Sequence, residues 1–248
     1  MTRTAEAPRR DVVWQAAATT ANYHRSRRGI PYAEDQFDIT RRVLEAHRVE
    51  VRSLLDLGCG DGIATQAMLD RVSVERAVLV DFSEPMLEAA RERFRESPLV
   101  ASVINGDLLG SAWVDVVRRE PGYDLVISRF AIHHLPHDRK HSLYAEIFDL
   151  LRPGGMFINI EHVQSPTATY QDAFERMLIE GIHALHEDRE TIEETERAFR
   201  ARQDAETNIL APVEDQCAWL REIGFADVDC SFKAFELAVF GGRRPDIS

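Results

Sequence analysis

Cysteine is scarce in this chain of 248 residues: Cys59, Cys217 and Cys230 stand far apart, and no CxxC pair occurs among them. A zinc site or a disulfide framework is therefore not expected, and the three read as reduced thiols. No apolar run approaches the length needed to span a bilayer, and the charged stretch Thr2 to Arg10 has no apolar core of a signal peptide behind it. The expectation is a cytoplasmic protein without a membrane partner. Positive charge is in deficit as well, 30 Lys and Arg against 42 Asp and Glu, for a net charge of −12. That balance argues against direct nucleic-acid binding through phosphate contacts. No internal repeat or low-complexity tract occurs.

What is present is an ordinary globular composition, 44% apolar and 29% charged, in a chain long enough to bury a sizeable core as one domain over 1–248. Its organising stretch is Leu54-Leu55-Asp56-Leu57-Gly58-Cys59-Gly60-Asp61-Gly62 followed by Ile63 to Leu69: a strand, a tight turn with glycine at alternate positions, and a helix. Such a turn lets a ligand lie against the main chain. An amphipathic helix is expected over about Glu34 to His47, packed beside this first strand. Further strands are expected at Arg76 to Asp81, Ser102 to Ile104, Tyr123 to Ser128 and Met156 to Ile160. Helices are expected from a Ser83 cap to about Glu96 and from Arg139 to Leu151, the latter stopped by Arg152-Pro153-Gly154-Gly155. Strand and helix thus alternate, which implies a doubly wound α/β fold with a mostly parallel sheet. After a helix from Val213 to Glu222, two closing strands, Val228 to Lys233 and Phe235 to Phe240, are expected to pair antiparallel across Ala234.

Two segments stand outside this alternation. Residues before about Trp14 read as a frayed tail, and residues 14–33 contain Tyr23, Arg25, Arg27, Arg28 and Tyr32 before a Gly/Pro break. That segment reads either as a flap over a ligand or as a solvated arm. Residues 164–211 are polar and helical, with an acidic run from Glu187 to Glu196, and read as an inserted helical lid. His183, His186 and Glu187 approximate metal-ligand spacing only loosely, and no metal is expected.

A glycine-rich turn alone is a weak signal, shared by many nucleotide binders. Asp81, ending the second strand, is placed to accept hydrogen bonds from both ribose hydroxyls of an adenosine. Asp107 follows the third strand and adds a polar group to the same sheet edge. No lysine followed by Ser or Thr occurs in the turn, so a phosphate cradle of the Walker type is excluded, and the later glycine of a pyrophosphate site is missing.

Taken in order, Leu55 to Gly62, Val80-Asp81-Phe82-Ser83, Met86-Leu87, Gly106-Asp107, Ile132-His133-His134-Leu135 and Leu151 to Gly155 resemble the class I S-adenosylmethionine (SAM) dependent methyltransferases. The resemblance covers about Ser53 to Ile160 and implies a Rossmann-like, seven-stranded sheet with an antiparallel last strand. It implies SAM as donor and S-adenosylhomocysteine as product. Asp56, Gly58, Cys59 and Gly60 would face the methionine part, Asp81 the ribose, Phe82 and Met86 the adenine, and Asp107 and Leu108 the adenine edge. Arg129, Phe130 and His134 would lie beside the donor, with Tyr23, Arg28 and Tyr32 contributed by the flap. The flanks, Arg25 to Tyr32 and Asn208 to Phe225, are similar to the carboxy-SAM synthases of the tRNA wobble-uridine pathway. This chain departs from them in its complete glycine turn and in carrying Ala201, with Arg200 and Arg202 adjacent, where they carry a carboxylate-binding arginine.

The expected activity is methyl transfer to a small-molecule acceptor. The enzyme must align a nucleophile, exclude water and, for a protic acceptor, remove a proton. Candidates for that proton are His133, His134, Glu161 and His162, histidine titrating near neutrality. The Asn/Asp-Pro-Pro-aromatic turn that grips an adenine amine is absent, Ser128-Arg129-Phe130-Ala131 standing in its place. The lid helices would select the acceptor or form a homodimer face. Two alternatives remain open at this point: carboxy-SAM synthesis, and a SAM-binding partner or sensor that transfers nothing.

Overall fold

The computed structural model describes residues 11–118, 122–186 and 189–246. The start of the expected frayed tail, residues 1–10, and Glu187 of the loosely spaced metal-like trio lie outside the described residues.

In chain order the elements are α1 (Ala17–Ser26), α2 (Ala33–Ala46), β1 (Ser53–Leu57), α3 (Ile63–Leu69), β2 (Arg76–Asp81), α4 (Glu84–Arg93), β3 (Val100–Asn105), α5 (Ala112–Val117) and β4 (Tyr123–Arg129). They continue with α6 (His137–Leu150), β5 (Leu151–His162), α7 (Ala168–Ala184), α8 (Ile192–Arg200), α9 (Val213–Ile223), β6 (Ala226–Ala234) and β7 (Leu237–Arg243). The seven strands form one sheet in the order β3-β2-β1-β4-β5-β7-β6. All pairings are parallel except those of β7 with β5 and with β6. The order reverses at β1, where β2 lies to one side and β4 to the other. A crevice opens there beyond the carboxyl ends of the strands, the place where such sheets take ligands.

The central strands are apolar on both faces because both are covered. Leu55, Leu57, Val78, Val80, Val126 and Phe157 pack with α5, α6 and α9 on one side. Leu54, Leu79, Leu125, Ile127 and Ile158 pack with Phe37, Leu44, Met68 and Leu87 on the other.

Several local expectations are corrected. Helix α2 reaches past the first strand, whose Leu54 shares a cluster with Phe37 and Leu44, to contact β5, β6, β7 and α3. Strand β5 begins at Leu151, upstream of the Pro-Gly-Gly break, which it absorbs as a register shift opposite Tyr123 and Leu125. Ala234 belongs to β6 and pairs with Leu237, so the hairpin turn is Phe235-Glu236, with Phe235 at φ 52°. Ser83 occupies the cap position of α4 but its hydroxyl donates to Trp14 O at 2.6 Å instead of capping the helix. The 14–33 segment is mostly helical, and α5 lies where no element was expected.

The 14–33 and 164–211 segments meet through a glycine pair. A Cβ on Gly181 of α7 would stand 2.4 Å from the carbonyl oxygen of Gly29, and one on Gly29 would stand 2.8 Å from Ile182 Cα. Only glycine at both positions allows these backbones to come so close.

Candidate functional site

The crevice at the switch point, with residues of the 14–33 and 164–211 segments along its rim, forms a cavity of about 850 Å³. Its floor is the glycine turn. Gly58, Gly60 and Gly62 all have positive φ, at 66°, 53° and 79°, which is why three glycines alternate there. Gly58 and Cys59 donate to Val80 O at 2.8 and 3.0 Å, tying the turn to β2.

Asp81 lies at the end of β2, where Oδ2 accepts from Gly60 N and Oδ1 from Ser83 N, each at 2.8 Å. Burial pushes its carboxyl above the ordinary value, against the pull of the backbone N–H groups of Ser83, Gly60 and Phe82. Asp107 Oδ1 accepts from Leu109 N at 2.9 Å, which fixes the loop after β3. Arg129, at the end of β4, is buried with its guanidinium over the rings of Phe130 and Phe37 at 4.5 and 5.4 Å. Tyr23 of α1 hydrogen-bonds its side chain, yet Arg129 Nε has no partner among the described residues.

A second group of polar residues lines the wall between this floor and the lid. His133 Nδ1 faces Glu161 Oε1 at 2.6 Å, while Glu161 Oε2 accepts from His133 N at 3.0 Å and Oε1 from His162 N at 2.8 Å. Glu161 is fully buried, and desolvation raises its pKa to about 7 against the attraction of Lys140 and neighbouring donors. Burial also holds the His133 imidazole well below its ordinary pKa, with His162 and Lys140 adding to the effect. It is therefore neutral near pH 7, donates its Nδ1–H to Glu161 and keeps a lone pair on Nε2. His134 is lowered in the same way by burial, and Thr207 lies 2.9 Å from its Nδ1 through Oγ1. That contact ties His134 to the end of the lid.

Residues 54–155 match the family model described as a methyltransferase domain. This segment is a methyltransferase domain. The chain is similar to the carboxy-S-adenosyl-L-methionine synthase of Aeromonas hydrophila, 29% identical over 190 residues, which covers 73% of this chain and 70% of that protein. Over 108 residues it is 32% identical to the demethylmenaquinone methyltransferase of Leptospira interrogans serovar copenhageni, covering 44% of this chain and 42% of that protein. Its fold is similar to that of human N-acetylserotonin methyltransferase in complex with SAM, with a TM-score of 0.62 at 14% identity over 97% of this chain and 60% of that one. The chain thus has the class I fold of the SAM-dependent methyltransferases, with an α/β sheet whose last strand is antiparallel. Among the described residues no helix is long and apolar enough to cross a membrane.

The cavity gathers most of the residues expected from the sequence. Tyr23, Gly58, Cys59, Gly60, Asp81, Phe82, Met86, Asp107, Leu108, Arg129, Phe130, His133, His134 and His162 all line the cavity. Glu161 stands behind His133. Three expected donor contacts do not line it. Asp56 is fully buried beneath the turn, where Oδ2 accepts from Thr65 N and Oγ1 at 3.1 and 2.6 Å and so anchors the start of α3. Tyr32, at φ 61°, turns outward onto Phe232 with ring centroids 5.8 Å apart. Arg28 also lies outside the cavity lining. No cluster among the described residues has the makings of a metal site.

Residues missed from sequence also line the cavity: Asp61, Trp14, Asn22, Phe174, Phe199 and Arg202. Asp61 sits inside the glycine turn yet makes its contacts with Arg27 and Arg93, at 2.6 Å each. The rest come from flap and lid segments whose polar spacing marks no ligand. The floor itself fits an adenosyl donor. A Cβ built on Gly60 would meet only Met86 Sδ, at 3.9 Å, so the turn leaves open space where a side chain would stand.

Proposed function

We propose that this chain transfers a methyl group from SAM to a small-molecule acceptor held between the glycine turn and the lid. Gly58, Cys59 and Gly60 would hold the methionine part of the donor, Asp81 the ribose hydroxyls, Phe82 and Met86 the adenine faces, and Asp107 with Leu108 the adenine edge. When bound, SAM supplies a sulfonium methyl that is already electrophilic. The chain's own residues then have three tasks: to orient the acceptor, to exclude water and to take its proton. His133 suits the last task, because Glu161 fixes its tautomer and burial keeps it neutral. The observation that carries this reading is the single cavity of about 850 Å³ that joins the donor floor to the His133 wall. That volume lies toward the upper end of the usual range for small-ligand sites.

The test is incubation with methyl-labelled SAM and a panel of small acceptors, with mass spectrometry of what copurifies. Labelled small product with stoichiometric S-adenosylhomocysteine supports the reading, and Asp81→Ala should weaken SAM binding by at least about tenfold. An unchanged affinity in that variant would remove the assigned site.

A second reading has one specific observation in its favour. Arg202 lines the cavity beside Ala201, its guanidinium over the Phe199 ring at 3.5 Å and 3.6 Å from Asp204. A cation there could meet the extra carboxylate of carboxy-SAM. Calorimetry with SAM and carboxy-SAM separates the two readings, a preference for carboxy-SAM that is lost in Arg202→Met favouring the second.

A further inference from the structure

Two carboxylate–imidazole pairs face the same part of the cavity. One is Glu161 with His133. The other is Glu236 with His162, whose Nε2 lies 2.5 Å from Glu236 Oε2. Glu236 sits in the β6–β7 turn and is only 4% exposed, and its backbone oxygen accepts from Val163 N at 2.8 Å. The His133 and His162 rings both line the cavity, with centroids 5.6 Å apart at an angle of 68°.

One such pair is enough to remove a proton. The second needs its own partner, since a neutral imidazole that donates one N–H to a carboxylate presents a lone pair at its other nitrogen. Both lone pairs call for O–H or N–H groups on the ligand. The lining also includes the aromatic residues Trp14 and Phe174, and Phe174 lies 5.3 Å from the His162 ring. We propose that the acceptor is an aromatic compound with hydroxyl groups on adjacent ring carbons, one facing His133 and the other held by His162. This rests on the methyl-transfer reading above. The hydroxyl oxygen facing His133 forms the new O–CH₃ bond as the donor's S–CH₃ bond breaks. The sulfur keeps the electron pair and leaves as a neutral thioether, and the hydroxyl proton passes to His133 Nε2. His162 touches the second hydroxyl, and Glu236 is its positioning residue.

The test compares S-adenosylhomocysteine formation with catechol and with phenol in the wild type and in His162→Gln, Glu236→Gln and Glu236→Asp, with SAM affinity measured by calorimetry. The expected result is a catechol kcat/KM at least about tenfold above that of phenol, because a site built to bond a hydroxyl rejects the analogue that lacks it. The ratio should fall toward one in His162→Gln, mainly through KM for catechol, should shrink in Glu236→Gln and should recover in part in Glu236→Asp. A purely packing role for Glu236 would not move this ratio, and the aspartate variant keeps the test alive if the glutamine variant does not fold. Equal turnover of the two phenols, or a ratio unmoved in His162→Gln, overturns the proposal. Turnover of neither, with SAM still bound, overturns the acceptor class while leaving the donor site standing. Failure of the wild type to bind SAM overturns the methyl-transfer reading itself.

Discussion

Arg27 Nη1 donates to Asp61 Oδ1 at 2.6 Å and thereby ties the flap to the glycine turn, while Arg93 Nη2 of α4 donates to the other oxygen at the same distance. Asp61 is nearly buried, and burial pushes its carboxyl up, but the two guanidinium partners together hold it below the ordinary value. The folded state therefore binds this proton more weakly than the unfolded chain does. The pairing contributes stability above about pH 4 and loses it as the pH falls through the lowered pKa. At neutral pH the latch is closed.

Breaking that latch should speed donor exchange. Asp61→Asn and Arg27→Ala are each expected to raise the SAM dissociation rate by about tenfold, the value of a lost charge-assisted hydrogen bond. The double variant should add little to Asp61→Asn, which already removes the Arg27 ion pair. Stopped-flow displacement of SAM measures this, and unchanged dissociation rates would show that the flap does not hold the donor in.

The glycines of the turn should separate fold from binding. At Gly58 a Cβ would fall 2.1 Å from Ala131 Cβ, in a backbone conformation that already disfavours side chains, so Gly58→Ala is expected not to fold stably. At Gly60 a Cβ meets no hard contact. Gly60→Ala should cost only about 1–2 kcal/mol for the left-handed backbone, yet lose SAM binding. Thermal melts beside calorimetry distinguish the two, and tight SAM binding by a folded Gly60→Ala would show that the turn does not face the donor.

The sequence made the donor floor legible because its signals are local. Apolar runs end near Gly58, Asp81 and Asp107, and the observed strands end at Leu57, Asp81 and Asn105. What stayed hidden depends on contacts distant in the chain. Asp61 reaches Arg27 across 34 positions, and His162 reaches Glu236 across 74. Tyr32 and Arg28 were placed by resemblance over the donor, but the left-handed backbone at Tyr32 aims that ring at Phe232. Asp56 carries a strand-end carboxylate like Asp81, and nothing local tells that it points inward. Helix α5, only six residues long, leaves too short a periodic pattern to read.

Asp56 should leave a mark on stability against pH. Burial raises its pKa to about 7, against the bonds from Thr65, while the unfolded value is 3.8. The folded state thus keeps a proton that the unfolded chain gives up, and that contribution is full below about pH 4 and lost as the pH rises to about 7. Asp56→Asn retains an oxygen that accepts from Thr65 and has no proton to lose. Between pH 4 and 8 the variant should gain on the wild type by a few kcal/mol, each pH unit of the window being worth about 1.4 kcal/mol. Denaturant unfolding at each pH gives the difference, and a flat difference would mean that Asp56 is ionised throughout.

Lys140 should act on the reaction without touching the cavity. Its ammonium is fully buried on α6, donates to the Leu135 carbonyl and, at 2.6 Å, to Ile209 O at the end of the lid, and attracts the Glu161 carboxylate. Burial lowers its pKa to about 8, with Glu161 pulling the other way. At neutral pH it is charged and helps to keep Glu161 ionised. Lys140→Met removes that cation, so the Glu161 pKa should rise above its value of about 7. A protonated Glu161 no longer holds the Nδ1–H tautomer of His133 as a carboxylate does. Methyl transfer at pH 7 should therefore fall, and the acid limb of its pH profile should move to higher pH, with recovery in alkaline solution. Removing the carboxylate instead, in Glu161→Gln, should lower the rate by about a hundredfold at every pH. Lys140→Met should add nothing to the position of the limb in that background. A limb that stays in place in Lys140→Met, with the lid still ordered by hydrogen exchange, would show that Glu161 is held ionised without the lysine.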